Sequence, residues 1–267
     1  MAFTRSKNKN QRTERRILMT GAEAQPEQEW TIPTWWLNTV FAIFLAPIAG
    51  LLTQSLFTCF QRAAVHHGFW ATQEFRFFCI GAVVWLAVFF AGMRAFGEPR
   101  PLRVYVFGHE LTHAIWVWAM GGRVMRFKVR REGGHIITDT NNFLIALAPY
   151  FYPLYSLAVI ALYGIASLFY NLEPYTPVLF GLLGLTWSFH ISFTLWMIPK
   201  GQSDLTYHGT IFSVVVIYLM NVLLLLALLI IAAPEVTLRA FARELLRNTE
   251  HFSAWLWMLL VRALTGG

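Results

Sequence analysis

The chain has 267 residues, of which 57% are apolar, 16% aromatic and only 13% charged, and its mean hydropathy is positive. A soluble domain carries about 25% charged residues, so this composition excludes an ordinary soluble globular protein and predicts an all-α polytopic membrane protein. The 21 Lys and Arg outnumber the 14 Asp and Glu, but they cluster at the ends of apolar segments, where they set topology and meet anionic headgroups. Nucleic acid is therefore not an expected partner, and the lipid bilayer is.

The polar stretch up to residue 34 runs from basic (Arg5, Lys7, Lys9, Arg12, Arg15, Arg16) to acidic (Glu23, Glu27, Glu29) and predicts a disordered cytosolic tail. A first span is expected from Trp35 to Phe60, anchored by Trp35 and Trp36, bent at Pro47 and Gly50, with Asn38 and Gln54 as inter-helix contacts. A loop with the adjacent pair His66 and His67, whose side chains diverge, leads to a second span, Phe77 to Phe96. Cys59 and Cys79 read as free thiols in apolar surroundings.

A third span is expected from Pro101 to Met120, ended by Gly121 and Gly122. The period then changes, with Met125, Phe127 and Val129 alternating with Arg126, Lys128 and Arg130. With a turn at Gly133-Gly134 and a return strand from His135 to Thr138, this predicts a small β-hairpin at the membrane interface, its basic face on headgroups. The fourth span, Phe143 to Tyr170, is opened by Asp139, Asn141 and Asn142 as caps and interrupted by Pro149 and Pro153. Val178 to Ile198, which contains His190, and Ile211 to Ala233 make about six spans in a membrane domain of residues 35–233. In residues 234–267, Leu238, Phe241 and Leu245 recur at helical spacing against Arg239, Arg243 and Arg247, the pattern of an interfacial amphipathic helix. Phe252 to Val261 is apolar but too short to span.

The chemistry concentrates in the third span, where His109-Glu110-Leu111-Thr112-His113 interrupts an apolar segment. Residues four apart lie on one helical face about 6 Å apart along the axis, so His109 and His113 can reach one metal ion. Glu110 flanks them and can take a proton from a water that the metal activates, which points to a hydrolase site with a position left open. Ionisable groups at that depth are costly unless ligated or paired, and a hydrogen-bonded cluster joining helices is the bland alternative.

A third ligand is needed, and the carboxylates after the motif are Glu132, Asp139, Glu173, Asp204, Glu235, Glu244 and Glu250. Asp139 sits in a Thr-Asp-Thr-Asn-Asn run that resembles a helix cap. Asp204 lies in a Gly- and Pro-flanked break between two spans, and two crossings after the hairpin return the chain to the hairpin side. Asp204 is the expected ligand.

The order GHELTHA, then GGRVMRFKVRREGGHI, then a Pro-containing span opened by Asn, then an Asp after a later span resembles the site-2 protease family of intramembrane zinc metalloproteases, over Val104 to Tyr218. The resemblance implies that His109, His113 and Asp204 bind Zn2+, that Glu110 is the catalytic base, and that the hairpin lies in the cytoplasm beside the substrate. It further implies hydrolysis of peptide bonds in or next to transmembrane segments of a membrane-protein substrate, by a multi-pass protein of the cell inner membrane. A substrate held extended could add to an edge strand from Arg123 to Arg130. Ser203-Asp204-Leu205 departs from the family's Asp-Gly and lacks its preceding Asn. His190 could stabilise an oxyanion or bond a neighbouring Ser or Thr. Two other readings stay open, a prenyl-protein-type membrane metalloprotease with a Glu as third ligand, and a catalytically silent scaffold or transporter. With six spans the two ends of the membrane domain share a side, and the excess of Lys and Arg there places the hairpin outside, against the family's arrangement.

Overall fold

A computed structural model describes residues 35–130, 133–232 and 236–265. The predicted N-terminal tail lies outside the described residues, as do Glu132 and Glu235. The chain divides into Met1–Trp36 and Leu37–Gly267, and the second unit holds nearly all the described structure.

The apolar runs form helices α1 (Trp35–His67), α2 (Gln73–Phe96) and α3 (Leu102–Ala119), then strands β1 (Val124–Arg130) and β2 (Gly133–Thr138). Helices α4 (Phe143–Phe151), α5 (Leu154–Ser167), α6 (Thr176–Met197), α7 (Ser203–Tyr207), α8 (Thr210–Ala232) and α9 (Leu238–Thr265) follow. Helix α2 begins a turn before Phe77 because the Thr72 side chain accepts the Phe75 N–H, and it stops where Gly97 turns left-handed at φ 71°. The predicted caps of α4 resolve to one. Asn142 accepts the Ile145 N–H at 2.9 Å, whereas Asp139 accepts the Arg123 N–H at 2.7 Å and so fastens the base of the hairpin instead.

Four helical stretches are long and apolar enough to cross a membrane: Trp36–Arg62, Gln73–Phe96, Glu173–Lys200 and Thr210–Ile230. A fifth is counted if α4 and α5 form one span, bent by 72°. Helix α3, the third predicted span, is not among them, and its Arg103, His109, Glu110 and His113 lower its hydropathy. Pro153 causes the bend: it offers no N–H to the Pro149 carbonyl, and the next amide, Leu154, bonds Tyr152 O at 2.8 Å.

The packing fixes the helix directions. A Cβ on Gly81 would sit 1.9 Å from Gly181 O and one on Gly184 1.9 Å from Phe78 O, so α2 and α6 touch backbone to backbone. Further along, Trp85 donates to Ser192 at 2.8 Å, so the two helices run parallel. Asn38 donates to His208 O at 2.8 Å and Thr53 pairs with Tyr218 at 2.8 Å, so α1 and α8 also run parallel. Asn38 is thus the inter-helix contact expected of it, whereas Gln54 is exposed and its neighbours Thr53 and Ser55 make the contacts. Helix α5 opposes α6 through Ser156 with Thr186 at 2.9 Å and Tyr163 with Thr176 at 3.2 Å.

Three apolar clusters result: Trp85, Phe89, Tyr105, Phe189 and Phe193 around α2, α3 and α6; Leu147, Tyr150, Phe151, Leu205 and Ile217 around α4, α7 and α8; and Leu52, Cys59, Val222, Leu226 and Phe241 around α1, α8 and α9. The tail forms one continuous helix, α9, which takes in the apolar Phe252 to Val261. Its first half docks on α1, with Asn248 donating to Ser55 at 2.8 Å and buried Glu244 paired with Arg62 and Arg247. Cys59 and Cys79 are free thiols.

The hairpin forms with Phe127 opposite Ile136 and Val129 opposite Gly134, and an irregularity between Val124 and Arg126 shifts the register. The predicted Gly-Gly turn is displaced. Gly133 pairs with Arg130 and Gly134 with Val129, so both glycines belong to β2.

Candidate metal centre

Helix α3 places His109 and His113 on one face with ring centroids 4.9 Å apart. The short helix α7 delivers Asp204 between them, with Oδ2 3.2 Å from His109 Nε2 and 3.5 Å from His113 Nε2. These three are the group, among the described residues, whose donor atoms all lie close enough to hold one metal ion, within 4.8 Å of one another. Bonds of about 2.0–2.1 Å in a tetrahedral shell put neighbouring ligand atoms about 3.4 Å apart. The two imidazole–carboxylate separations match that edge length, so the donor set fits a small divalent cation.

Both imidazoles are oriented by their other nitrogen. His113 Nδ1 donates to the Ile145 carbonyl at 2.8 Å, and His109 Nδ1 lies 3.3 Å from the Tyr105 hydroxyl. Each ring thereby presents Nε2 to the centre, the usual arrangement of a metal-bound His. Helix α7 holds its place because Gly201, at φ 68°, turns the chain after the Ile198–Lys200 helical turn. Leu205 is buried in the α4–α8 cluster, and Ser213 donates to its carbonyl at 2.9 Å. Burial acts to raise the Asp204 carboxyl, but the hydrogen bonds from His109 and His113 outweigh it and hold the group below the usual carboxylate range.

Among the described residues, the other carboxylates that follow the motif do not join this group. Asp139 is committed to the hairpin base, where the Arg123 amide bond leads in lowering its carboxyl. Glu244 is committed to Arg62 and Arg247, and Glu173 and Glu250 are exposed. The side chains of His66 and His67 lie outside the described residues.

Glu110, also buried, lines the same cavity as the three ligands, a space of about 360 Å³. The other walls come from Tyr105 and Val106, from Ile145 and Ala146, from Met197 and Tyr207, and from β2. The sequence pointed to β1 as the strand beside the substrate, yet the cavity is lined by Gly133, Gly134, His135, Ile136 and Thr138 of β2. The register explains this. Gly134 packs on Glu110, and a Cβ there would lie 2.8 Å from Glu110 Oε1.

Of the residues the sequence singled out, His109, Glu110, His113 and Asp204 come together. His190 is buried on α6 and does not line this cavity. Its Nε2 has no hydrogen-bond partner among the described residues, and the Tyr150 carbonyl nearby accepts from the Asn221 side chain at 3.2 Å. Tyr105, Tyr150 and Gly134 escaped the sequence reading. Tyr105 was legible as the residue one turn before His109 on the same face, whereas Tyr150 and Gly134 reach the site only through tertiary contacts.

Comparison with protein-family models, with curated proteins and with solved structures finds no match to this chain.

Proposed function

We propose that the protein is an intramembrane zinc metalloprotease of the site-2 protease kind, in which His109, His113 and Asp204 hold Zn2+ and Glu110 is the general base. The observation that carries the reading is the meeting of three possible ligand atoms within 4.8 Å of one another with a buried carboxylate on the wall of one cavity. Three protein ligands leave one position open, which suits catalysis and not a closed structural site. Zinc, when bound, supplies the Lewis acidity that activates water and polarises a carbonyl.

This chain's residues do the remainder. Glu110 accepts the water proton and returns it to the leaving amine. Ile145 O and the Tyr105 hydroxyl orient the two imidazoles. Strand β2 stands along the cavity, where an unwound substrate segment can add to it as a further strand. The basic side chains of β1 face away from the base and meet lipid headgroups.

Five crossings, not six, accompany this reading. Because α2 and α6 run parallel and α5 opposes α6, one crossing, α4–α5, separates them, and α3 starts and ends on the same side.

Purified protein is expected to cleave a membrane-spanning substrate and to contain one zinc per chain. Glu110→Gln lowers cleavage by about 10²–10⁴-fold with zinc retained, and unchanged cleavage in that variant refutes the assignment. Asp204→Ala loses zinc while Glu173→Ala and Glu244→Ala keep it; the reverse pattern would favour the prenyl-protein-type arrangement. A scaffold or transporter would show no stoichiometric zinc.

A further inference from the structure

We infer that Tyr150 is the positioning residue that holds Asp204 in ligating orientation, and that the break between α4 and α5 is the mount for it. The inference rests on the metal-centre reading above. Asp204 is the ligand that most needs support, since its side chain is 25% exposed against 8% and 9% for the two imidazoles. It also stands on a helix of only five residues. A carboxylate so placed can rotate away unless a second group holds it.

Tyr150 is that group. Its relative exposure is 0%, its hydroxyl donates to Asp204 Oδ2 at 3.4 Å, and its ring meets the His109 imidazole edge-on at 5.3 Å and 88°. One side chain therefore bears on two of the three ligands. The hydroxyl reaches the same oxygen that faces both imidazoles, so it sets the direction of that oxygen without competing for the imidazole nitrogens.

The break explains how Tyr150 is held. In an unbroken helix the Tyr150 carbonyl would accept the Leu154 N–H, but that amide bonds Tyr152 O instead. The freed carbonyl accepts from the Asn221 side chain of α8 at 3.2 Å. Asn221 is itself fixed to Ile217 O at 2.8 Å. Helix α8 thus holds the backbone of the residue that touches the candidate ligands, and the polar Asn221 inside an apolar helix has a use.

The test is zinc affinity of the full-length protein in detergent, measured by chelator competition, for wild type, Tyr150→Phe and Asp204→Ala. Tyr150→Phe keeps the ring and removes only the hydroxyl. It should bind one zinc per chain with affinity weakened about 10- to 100-fold, the usual effect of removing an outer hydrogen-bond partner. Asn221→Leu, which loosens the mount, should weaken affinity in the same direction. Wild-type affinity in Tyr150→Phe overturns the inference and leaves the metal centre standing. So does a lower fraction of binding-competent Tyr150→Phe protein whose affinity is unchanged, because that is a folding defect alone. If wild type binds no more zinc than Asp204→Ala, the metal-centre reading fails and this inference with it.

Discussion

At the scale of the residue, Gly134 shows how little space surrounds the base. A methyl group there would lie 2.5 Å from Glu110 Cγ and 2.8 Å from Oε1, so Gly134→Ala must push the carboxylate aside. Displacing a catalytic group by about 1 Å costs on the order of 10² in rate. Gly134→Ala should therefore lose cleavage at about that level while keeping one zinc per chain, since no ligand touches Gly134. Asp139 makes a second prediction. Its carboxyl is lowered chiefly by the Arg123 N–H, so the bond's contribution is present above the ordinary aspartate value of about 3.9 and is lost as pH falls through the lowered value. Hydrogen exchange at the Arg123 amide should be slower in wild type than in Asp139→Ala at neutral pH, with the difference vanishing in acid. The meeting of His109, Glu110, His113 and Asp204 was legible because one helical turn brings the first three together and few carboxylates remained to join them. Gly134 and Tyr150 were not, because an isolated Gly or Tyr carries no period and acts only through a strand or a break that tertiary structure positions.

At the scale of the element, hydropathy fixed the long helices and missed what happens at their ends and seams. Thr72 and Asn142 start helices by capping, and Gly97 ends one, each by a local rule. The hairpin turn was misplaced because Gly133-Gly134 reads as a turn in sequence, whereas both residues pair with β1, and Gly134 packs where a side chain would meet Glu110. The seam between α2 and α6 belongs to this scale as well. At Gly184 the obstacle is Phe78 backbone, which no side-chain rotation relieves. Gly184→Val should cost at least 1–3 kcal/mol, read as a lower melting temperature in detergent. Gly164→Val, where a Cβ meets nothing within 4 Å, should differ little from wild type.

At the scale of the whole molecule, the proposed five crossings give the helix directions a bearing on the orientation that charge counting over six spans left in conflict. Helices α1 and α8 are parallel, so an odd number of crossings runs from the first to the last. The start of α1 then shares a side with the hairpin and Asp204, and the end of α8 lies opposite. On that proposal Arg126, Lys128 and Arg130 would stand on the cytoplasmic side by the charge rule. Single cysteines placed at Lys9 and Lys128 should react with a membrane-impermeant reagent from the same side. A cysteine at Arg239 should react from the other.

Helix α3 begins and ends on one side of this proposed arrangement, which bears on what the proposed cleavage would release. A centre carried by such a helix lies nearer one leaflet than the other, so a bound substrate helix is cut off-centre. One product should depart with a short apolar stub that water tolerates, while its counterpart keeps most of its hydrocarbon-length stretch and stays anchored. Mass measurement of both fragments reads that asymmetry directly.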